Sequence, residues 1–349
     1  MPSYINLKVK EVVKETPDAV TISFKQPLFK KVKYKSGQFL TLVLNIDGKS
    51  VSRSYSMSST PTLDSLVSIT VKRVEGGLVS NYLNTQVKPG DTIKVMEPVG
   101  NFTFEADKSK NRHIVLFGAG SGVTPLMSIL KNVLFFEPNS IVSLVYGNRN
   151  ENSIIFKQKL EELKSKFGDR FNLVYSLSQP QNQWEGYKGR IDEAVCLNVL
   201  NLLPKHDASE YYICGPDGMM EQVKAGLKKA KVAASSIHME SFTASNESEE
   251  ALAKLGDMGD KSVKIIIQGD EYQITVPAKK SILDVGLDEG LDMPFSCQSG
   301  LCTACMGKCT SGEVKMTDND SLSADDVAAG YVLTCVGHPA SDNVVIEFD

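Results

Sequence analysis

The chain has 349 residues, of which 42% are hydrophobic and 23% charged, with a formal net charge of −4. This composition is ordinary for a globular protein, and the length predicts two or three domains. No apolar run approaches the roughly 20 residues of a membrane-spanning helix, and the amino-terminal segment lacks the apolar core of a secretory signal. We expect neither a membrane nor a nucleic-acid partner.

Residues 1–108 are predicted to form an antiparallel β-barrel or sandwich. Apolar runs such as QFLTLVLNI and LVSITVKRV are short, and Pro and Gly recur at their ends. No long helical pattern interrupts them, and short strands at this spacing are typical of all-β domains.

Residues 109–242 have a different pattern, in which apolar strands alternate with amphipathic helices. RHIVLFGAG, IVSLVYGNR, FNLVYSLS and EYYICGP are strand-like, and segments such as TPLMSILKNVLFF have the periodicity of helices. Strands that alternate with helices predict βαβ units, and hence an α/β domain built on a parallel sheet.

Residues 243–262 are polar and acidic, which predicts a linker, and residues 263–349 are predicted to form a small mixed sheet crossed by one helix. The second segment has 5 Lys or Arg against 14 Asp or Glu, a net charge of −9, which leaves +5 for the rest of the chain. One sign of charge over a small domain indicates steering toward a basic partner, although a solvated acidic face would look the same.

Five of the seven cysteines lie in this last segment. Their crowding favours a metal site in a reducing compartment over disulfide bonds, so we expect a cytoplasmic protein. The spacing Cys297-x4-Cys302-x2-Cys305, with a distant fourth ligand at Cys335, is the plant-type [2Fe–2S] pattern.

Two alternatives use the same cysteines differently. The bacterial pattern would take Cys309 as the fourth ligand, but it needs a first gap of two residues and a proline after the last cysteine, and this chain has neither. Structural zinc would need a second closely spaced cysteine pair, which is missing. The spacing therefore favours a [2Fe–2S] cluster and leaves Cys309 as the spare thiol.

The stretches PFSCQSGLCTACMGKCTSGEV and LTCVGHPASDNVVIEF resemble a plant-type ferredoxin domain over about 85 residues. The resemblance implies an α+β domain of the β-grasp type.

Two motifs in the first domain have the chemistry of a flavin site. RSYSM, from Arg53 to Met57, offers a guanidinium that can bond a pyrophosphate at two points and, in Tyr55, a flat ring for the isoalloxazine. Ser54 and Ser56 flank this ring, and Ser56 can hydrogen-bond near the flavin N5.

EGGLVSNYL, from Glu75 to Leu83, is the second motif. Gly76 and Gly77 permit a close approach of backbone to phosphate, and Val79 and Ser80 lie near a helix start, where Ser80 can bond phosphate. The two motifs together resemble the ferredoxin–NADP reductase family, which also implies roles for GQF (37–39) and Lys72 near the flavin. FAD rather than FMN is an implication of this resemblance.

FGAGSGVTP, from Phe117 to Pro125, lies between a predicted strand and helix. Glycines before a helix free the backbone, and the N–H groups at a helix start bind phosphate. The third glycine comes one residue earlier than in G-x-G-x-x-G, and the form found here resembles the same reductase family. The candidate residues are Gly118, Gly120, Gly122, Thr124 and Pro125.

The family resemblance also implies nicotinamide contacts further along the chain. Cys214, in YYICGPDGMM, would lie near the nicotinamide, and the turn at Gly215 and Pro216 would close over the cofactor; a buried core cysteine is the alternative for Cys214 alone. Glu240 and Phe242, in HMESF, match positions near the flavin. Cys214 and Glu240 are the candidate catalytic residues.

The choice between NADPH and NADH depends on charge near the adenosine ribose. Arg149, in YGNRN, and Arg190, in GRIDE, are candidates to bind a 2′-phosphate. No acidic residue stands out that would take a ribose 2′-hydroxyl, so the sequence favours NADPH.

The order of flavin, nicotinamide and ferredoxin domains resembles the reductase components of bacterial oxygenases. The resemblance implies electron flow from NAD(P)H through FAD and [2Fe–2S] to an iron oxygenase that docks on the ferredoxin domain. Two alternatives remain, which are a general NAD(P)H reductase for ferredoxin-type or desaturase acceptors and a non-enzymatic zinc-bound interaction protein.

Overall fold

The computed structural model describes residues 4–27, 31–181, 183–206, 208–242, 252–253, 255–256, 258–317 and 321–348. The chain divides by its internal contacts into two compact units, one of residues 4–40 and 55–242 and the other of residues 41–54 with 243–349. The predicted domain boundaries stay predictions, and most of the predicted linker lies outside the described residues. None of the described helices is long and apolar enough to cross a membrane.

The first sheet forms the predicted antiparallel barrel. Its six strands follow the order β4-β3-β6-β1-β2-β5. An antiparallel bridge between Met57, just after β4, and Ile69 of β5 joins the two outer strands, so the sheet closes on itself. The elements are β1 Tyr4–Thr16, β2 Ala19–Lys25, β3 Phe39–Ile46, β4 Lys49–Ser56, β5 Leu66–Lys72, α1 Leu78–Thr85 and β6 Thr92–Met96.

The second sheet is parallel throughout, as the alternating pattern predicts, with the order β10-β9-β8-β7-β11-β12. Its strands are β7 His113–Ala119, β8 Ile141–Asn148, β9 Phe171–Leu177, β10 Tyr187–Lys188, β11 Ser209–Cys214 and β12 Ile237–Glu240. Its helices are α2 Val123–Phe136, α3 Lys157–Phe167, α4 Glu193–Leu202 and α5 Asp217–Lys229.

Side chains of β7 alternate between two cores, because successive residues of a strand point to opposite faces. Ile114 and Leu116 belong to the core that α2 and α3 cover, whereas Val115 and Phe117 belong to the core under α4 and α5. The chain runs from β7 outward to β10 and then returns to β11 on the other side of β7. This reversal opens a crevice at the carboxyl ends of β7 and β11, where open α/β sheets bind their ligands.

The third sheet is mixed and has the order β14-β13-β19-β15-β17, with β13 and β19 parallel and a separate β16–β18 pair. Ser281 caps the start of helix α6, and its hydroxyl accepts a hydrogen bond from the Asp284 N–H. The elements are β13 Lys261–Ile267, β14 Asp270–Val276, α6 Ile282–Asp288, β15 Met306–Ser311, β16 Val314–Met316, α7 Ala324–Ala328, β17 Tyr331–Leu333, β18 Gly337–Pro339 and β19 Val344–Phe348. This is the predicted small α+β domain.

Candidate electron-transfer sites

Four cysteine thiols lie close together. Three of them, Cys297, Cys302 and Cys305, are in the segment between α6 and β15, and the fourth, Cys335, follows β17. Hydrogen bonds link Cys302 to Cys297, Cys297 to Cys335 and Cys335 to Cys305. The pair of Cys297 and Cys302 is thus joined to the pair of Cys305 and Cys335. The described ranges contain no group of three or more His, Cys, Asp or Glu side chains with the geometry to hold a metal ion. Two pairs of thiolates suit two iron atoms, each needing two protein ligands.

The four thiols differ in their acidity. Hydrogen bonds from Cys302 and Cys335 lower the pKa of Cys297, and the bond from Cys335 lowers the pKa of Cys305. The same bonds, together with burial, raise the pKa values of Cys302 and Cys335. A cluster takes its cysteine ligands as thiolates, so binding of a cluster would release the protons that the four sulfurs hold.

The loop between these cysteines turns its backbone toward sulfur. Gly300 has a φ of +73°, which glycine adopts readily, and its N–H donates to the Cys335 sulfur at 3.4 Å. The Ser299 N–H donates to the Cys297 sulfur at 3.5 Å, and the Ser321 hydroxyl donates to the Gly300 carbonyl at 2.5 Å. N–H bonds to sulfur are a property of iron–sulfur sites, so the donor set fits a [2Fe–2S] cluster.

Cys309 lies on β15 and is half-buried. Its thiol donates to the carbonyl oxygens of Ser311 at 3.3 Å and Gly312 at 3.7 Å. Burial raises its pKa, so the group is a neutral thiol at neutral pH. Its role as the spare cysteine stays a prediction.

The first flavin motif lies at the end of β4. Arg53 donates to the Ser52 carbonyl at 2.7 Å, and its guanidinium lies 3.9 Å from the ring centre of Phe295. The Ser54 hydroxyl bonds to the hydroxyls of Thr41 at 2.9 Å and Ser296 at 2.7 Å.

The contact partners Phe295 and Ser296 directly precede Cys297, the first cysteine of the four. All the residues of this contact belong to one compact unit, that of residues 41–54 and 243–349. Phe295 and Ser296 were not among the site residues predicted from the sequence motifs. Only their position directly before Cys297, a predicted ligand, could have indicated them. The contact joins the flavin motif to the cysteine loop, which we define as residues 294–309.

The second flavin motif forms the turn before α1. Gly76 has a φ of +70°, and no described atom lies within 4 Å of the position that a Cβ would take. The Ser80 hydroxyl accepts from the Val74 N–H at 3.0 Å and donates to the Gly77 carbonyl at 3.4 Å, so it stabilises the turn itself. The N–H groups of the first turn of α1 have no partner within the helix, and with the open side of Gly76 they suit a phosphate.

The glycine loop, residues 118–125, lies at the crevice between β7 and β11. A Cβ on Gly122 would lie 2.0 Å from the carbonyl oxygen of Cys214, so only glycine fits this approach. Gly120 has a φ of +54°, and its carbonyl accepts from the buried Tyr146 hydroxyl at 2.9 Å. The Thr124 hydroxyl donates to the Ser121 carbonyl at 2.9 Å, at the start of α2.

Cys214 ends β11 and pairs with Gly118 of β7 and Glu240 of β12. The side chain is fully buried, and burial, with a smaller contribution from Glu240, raises its pKa, which keeps the thiol neutral. Pro216 precedes α5, and Phe242, just after β12, is exposed. The structure thus places Cys214 and Glu240 side by side at the edge of the crevice.

Polar groups without partners lie at the same edge of the sheet. The amide of Asn148, the last residue of β8, and the hydroxyl of Tyr175 are buried and have no hydrogen bond of normal geometry among the described residues. Such groups are usually satisfied by water or a ligand. Arg149 and Arg190, which follow β8 and β10, are exposed at this edge. These two cations, with the Asn148 amide and the Tyr175 hydroxyl, fit a dinucleotide. Asn148 was not among the sequence candidates, although it directly precedes Arg149.

Comparison with known families divides the chain into three parts. Residues 6–104 match the oxidoreductase FAD-binding domain, residues 116–225 the oxidoreductase NAD-binding domain and residues 265–340 the 2Fe-2S iron-sulfur cluster binding domain.

Relatives match along the whole length. The chain is 35% identical over 353 residues to a subunit of the 1,2-phenylacetyl-CoA epoxidase of Escherichia coli K12, covering 100% of this chain and 99% of that protein. It is 37% identical over 357 residues to the ferredoxin reductase component of 3-ketosteroid-9-alpha-monooxygenase of Mycolicibacterium smegmatis, covering 99% and 97%. This chain belongs to the ferredoxin–NADP reductase family, in the branch that carries a [2Fe–2S] domain.

The fold of this reductase also matches that of a solved relative. Phthalate dioxygenase reductase superposes with a TM-score of 0.61 at 22% identity, covering 99% of this chain and 98% of the other, and at this identity the likeness concerns the fold. The reductase is an oxidoreductase with FAD, NAD(P)H and [2Fe–2S] domains. The predicted fold class and cofactors are confirmed, and the zinc alternative is wrong.

Proposed function

We propose that this reductase supplies electrons from NAD(P)H to an iron oxygenase of aromatic-compound catabolism, of the phenylacetyl-CoA epoxidase type or a similar multicomponent system. The two full-length relatives above are named as parts of an epoxidase and a monooxygenase. A reductase subunit of glycine betaine monooxygenase of Pseudomonas aeruginosa is 33% identical over 359 residues, and it also belongs to an oxygenase.

The cofactors supply the redox chemistry, because a flavin accepts a hydride from nicotinamide and passes single electrons to a [2Fe–2S] cluster. The residues bind and orient these groups. Arg53 and the first turn of α1, with Gly76, Gly77, Val79 and Ser80, would hold the pyrophosphate of FAD. Tyr55, Ser56 and Lys72 would lie near the flavin ring, and the Ser54 hydroxyl already bonds to the cysteine loop.

The contact between Ser54 and Ser296 is the observation that carries the proposal. It places the residue before Cys297 within 2.7 Å of the flavin motif. The proposed ligands of the cluster are Cys297, Cys302, Cys305 and Cys335. A flavin held by this motif and a cluster held by these thiols would then be joined through two neighbouring hydroxyl groups.

For the nicotinamide we propose the crevice between β7 and β11. The glycine loop would bind the pyrophosphate of the dinucleotide, and Cys214 and Glu240 would border the nicotinamide, with Phe242 near the ring. Arg149 and Arg190 are exposed cations at the carboxyl edge of the sheet, where they would bind a 2′-phosphate. These two residues support NADPH over NADH.

The partner would dock on the [2Fe–2S] domain. The net charge of −9 over residues 263–349 would attract a basic surface, and such attraction speeds association without requiring tight binding. Because thiolate ligands must stay reduced until the cluster binds, we also infer a cytoplasmic location.

An anaerobic titration tests the function. Addition of NADPH or NADH should bleach the flavin absorbance first and the cluster absorbance second, with about three electrons taken up per chain, two by flavin and one by the cluster. An oxygenase candidate should then reoxidise the reduced chain, and raised salt should slow this step because the charges are screened. Reduction of the flavin without any reduction of the cluster would contradict the proposal.

A further inference from the structure

Helix α2, which begins at the glycine loop, has a buried polar face. This α2 polar face consists of Ser128, Lys131 and Asn132, none of which is more than 9% exposed. Their spacing of i, i+3 and i+4 places them on one side of the helix. Buried polar side chains are unfavourable unless they are hydrogen-bonded, so their partners indicate what the face is for.

Ser128 makes a reciprocal contact with the segment of residues 57–64. Its hydroxyl donates to the Ser59 carbonyl at 2.6 Å, and the Thr60 hydroxyl donates to the Ser128 carbonyl at 3.0 Å. The Ser59 hydroxyl in turn bonds to the Tyr34 hydroxyl at 2.6 Å. Two bonds that run in opposite directions fix both the separation and the rotation of the helix against this segment.

Lys131 and Asn132 add two more fixed points. The Lys131 ammonium pairs with the Asp64 carboxylate at 2.5 Å, and the same carboxylate oxygen accepts from the Thr60 N–H at 2.6 Å. Asn132 donates to the Ser36 hydroxyl at 3.0 Å. Lys131 is mostly shielded from water in this pair, so its position is more restricted than that of an exposed lysine.

The two segments that meet here have functional neighbours in the chain. Residues 57–64 directly follow Tyr55 and Ser56 of the flavin motif, and the Met57–Ile69 bridge and a bond from the Ser58 N–H to the Ser68 carbonyl at 2.8 Å hold them in the barrel. Ser128 lies five residues after the first residue of α2, Val123, or about 7.5 Å along a helix that rises 1.5 Å per residue. A shift at the face would therefore move the glycine loop as well.

We propose that the α2 polar face and Thr60 position the glycine loop relative to Tyr55 and Ser56, and so set the geometry of hydride transfer from nicotinamide to flavin. The proposal rests on the proposed function. Hydride transfer needs reacting atoms about 3–3.5 Å apart, and a misplacement of about 1 Å lowers such rates about 100-fold. Ser128, Lys131, Asn132 and Thr60 are positioning residues, since they act through the two segments.

Stopped-flow reduction of the flavin in the full holoprotein tests this. We expect the double variant Ser128→Ala/Thr60→Val to lower the limiting rate at saturating NADPH about 10- to 100-fold, with the dissociation constant for NADPH changed less than about 3-fold. Thr60→Ser keeps the hydroxyl and should stay within about 3-fold of the wild-type limiting rate. Because the signal comes from bound flavin only, chains that lose FAD do not contribute.

A matched control separates positioning from stability. Ser143 is also fully buried, and its hydroxyl pairs with His113 Nε2 at 2.7 Å within the nicotinamide sheet. Ser143→Ala should lower the unfolding temperature and leave the limiting rate unchanged. Hydrogen exchange of the holoprotein before NADPH is added gives a second readout, in which the double variant should exchange faster in residues 57–64 and 123–132 and Ser143→Ala should not.

The outcomes distinguish the two proposals. A wild-type flavin that neither NADPH nor NADH reduces would overturn the proposed function, and the positioning role with it. If NADPH reduces the wild-type flavin and the limiting rate of the double variant equals that of Ser143→Ala, the positioning role alone is overturned. A change in the NADPH dissociation constant without a change in the limiting rate would also overturn it, because uniform binding would then be the affected step.

Discussion

The flavin motif has two sets of neighbours, and they are built differently. After Ser56 the chain enters the segment of residues 57–64, which four hydrogen bonds or ion pairs, two of them fully buried, fix to α2 and to its own loop. Before Tyr55, the contact with the cysteine loop includes a hydroxyl pair and a cation–π contact between half-buried side chains. Two bonds of the nicotinamide side are thus fully buried, whereas the hydroxyl pair of the cluster side is partly exposed.

The difference follows from the two reactions. Hydride transfer breaks and forms bonds, so its rate depends on the distance between two atoms to a fraction of an ångström. A single electron moves without forming a bond, so its donor and acceptor tolerate small displacements. Polar groups that are buried and fully bonded give rigidity, whereas contacts that water partly reaches add less free energy and can be exchanged for a partner surface.

Loss of the cluster is the largest effect that the comparison predicts. Cys335→Ser removes the thiol that bonds both Cys297 and Cys305, so we expect complete loss of iron and of the cluster absorbance. Flavin reduction by NADPH should remain, because it depends on the other set of neighbours. Iron analysis and stopped-flow absorbance measure the two properties separately.

Cys309→Ser is the matched control, since this thiol bonds to backbone carbonyls rather than to the other thiols. It should keep the wild-type iron content. Loss of iron in Cys309→Ser with retention in Cys335→Ser would reverse the ligand assignment.

A disturbance at the glycine loop should have the next largest effect. In Gly122→Ala the new methyl group would meet the Cys214 carbonyl oxygen at 2.0 Å, so the loop or β11 must move. We expect flavin reduction by NADPH to fall about 100-fold and the free energy of unfolding to fall by about 1–3 kcal/mol. Stopped-flow kinetics and urea unfolding measure the two effects, and the iron content should not change.

Gly218→Ala provides the control on α5, because no described atom lies within 4 Å of its Cβ position and its φ is not positive. Alanine favours helix over glycine by about 1 kcal/mol, so this variant should be as stable as the wild type or more so. A Gly122→Ala variant that reduces flavin at the wild-type rate would show that the close approach to Cys214 is not needed.

Much of the fold follows from sequence, since periodicity and spacing are local. Alternating strands and helices predict a parallel sheet, and a tight loop of cysteines predicts a cluster, because both patterns are contained in a few tens of residues. The order of strands in the sheet is not local, and it was the position of β11 beside β7 that placed Cys214 against Gly122.

The contacts that join functional segments could not be predicted in the same way. Ser128 and Lys131 lie in TPLMSILKNVLFF, which as a sequence is an ordinary helix, and the partner of the Ser128 hydroxyl is 69 residues away. Phe295 and Ser296 have no motif of their own, and Ser296 bonds to a residue 242 positions earlier. Nothing in the spacing of either segment indicates such a partner.

Loss of the partly exposed hydroxyl pair at the cluster side should have the smallest effect on the kinetics. Ser296→Ala removes the hydroxyl pair with Ser54 and leaves the contact between Arg53 and Phe295. One hydrogen bond contributes about 0.5–1.5 kcal/mol, so we expect reduction of the cluster to slow about 2- to 10-fold while flavin reduction is unchanged. Stopped-flow absorbance after mixing with NADPH resolves the two steps, and Ser311→Ala, an exposed serine on β15, is the control. If Ser296→Ala slowed flavin reduction as much as the Ser128→Ala/Thr60→Val variant does, the cluster side would also take part in positioning the hydride, and the distinction between the two sides would fail.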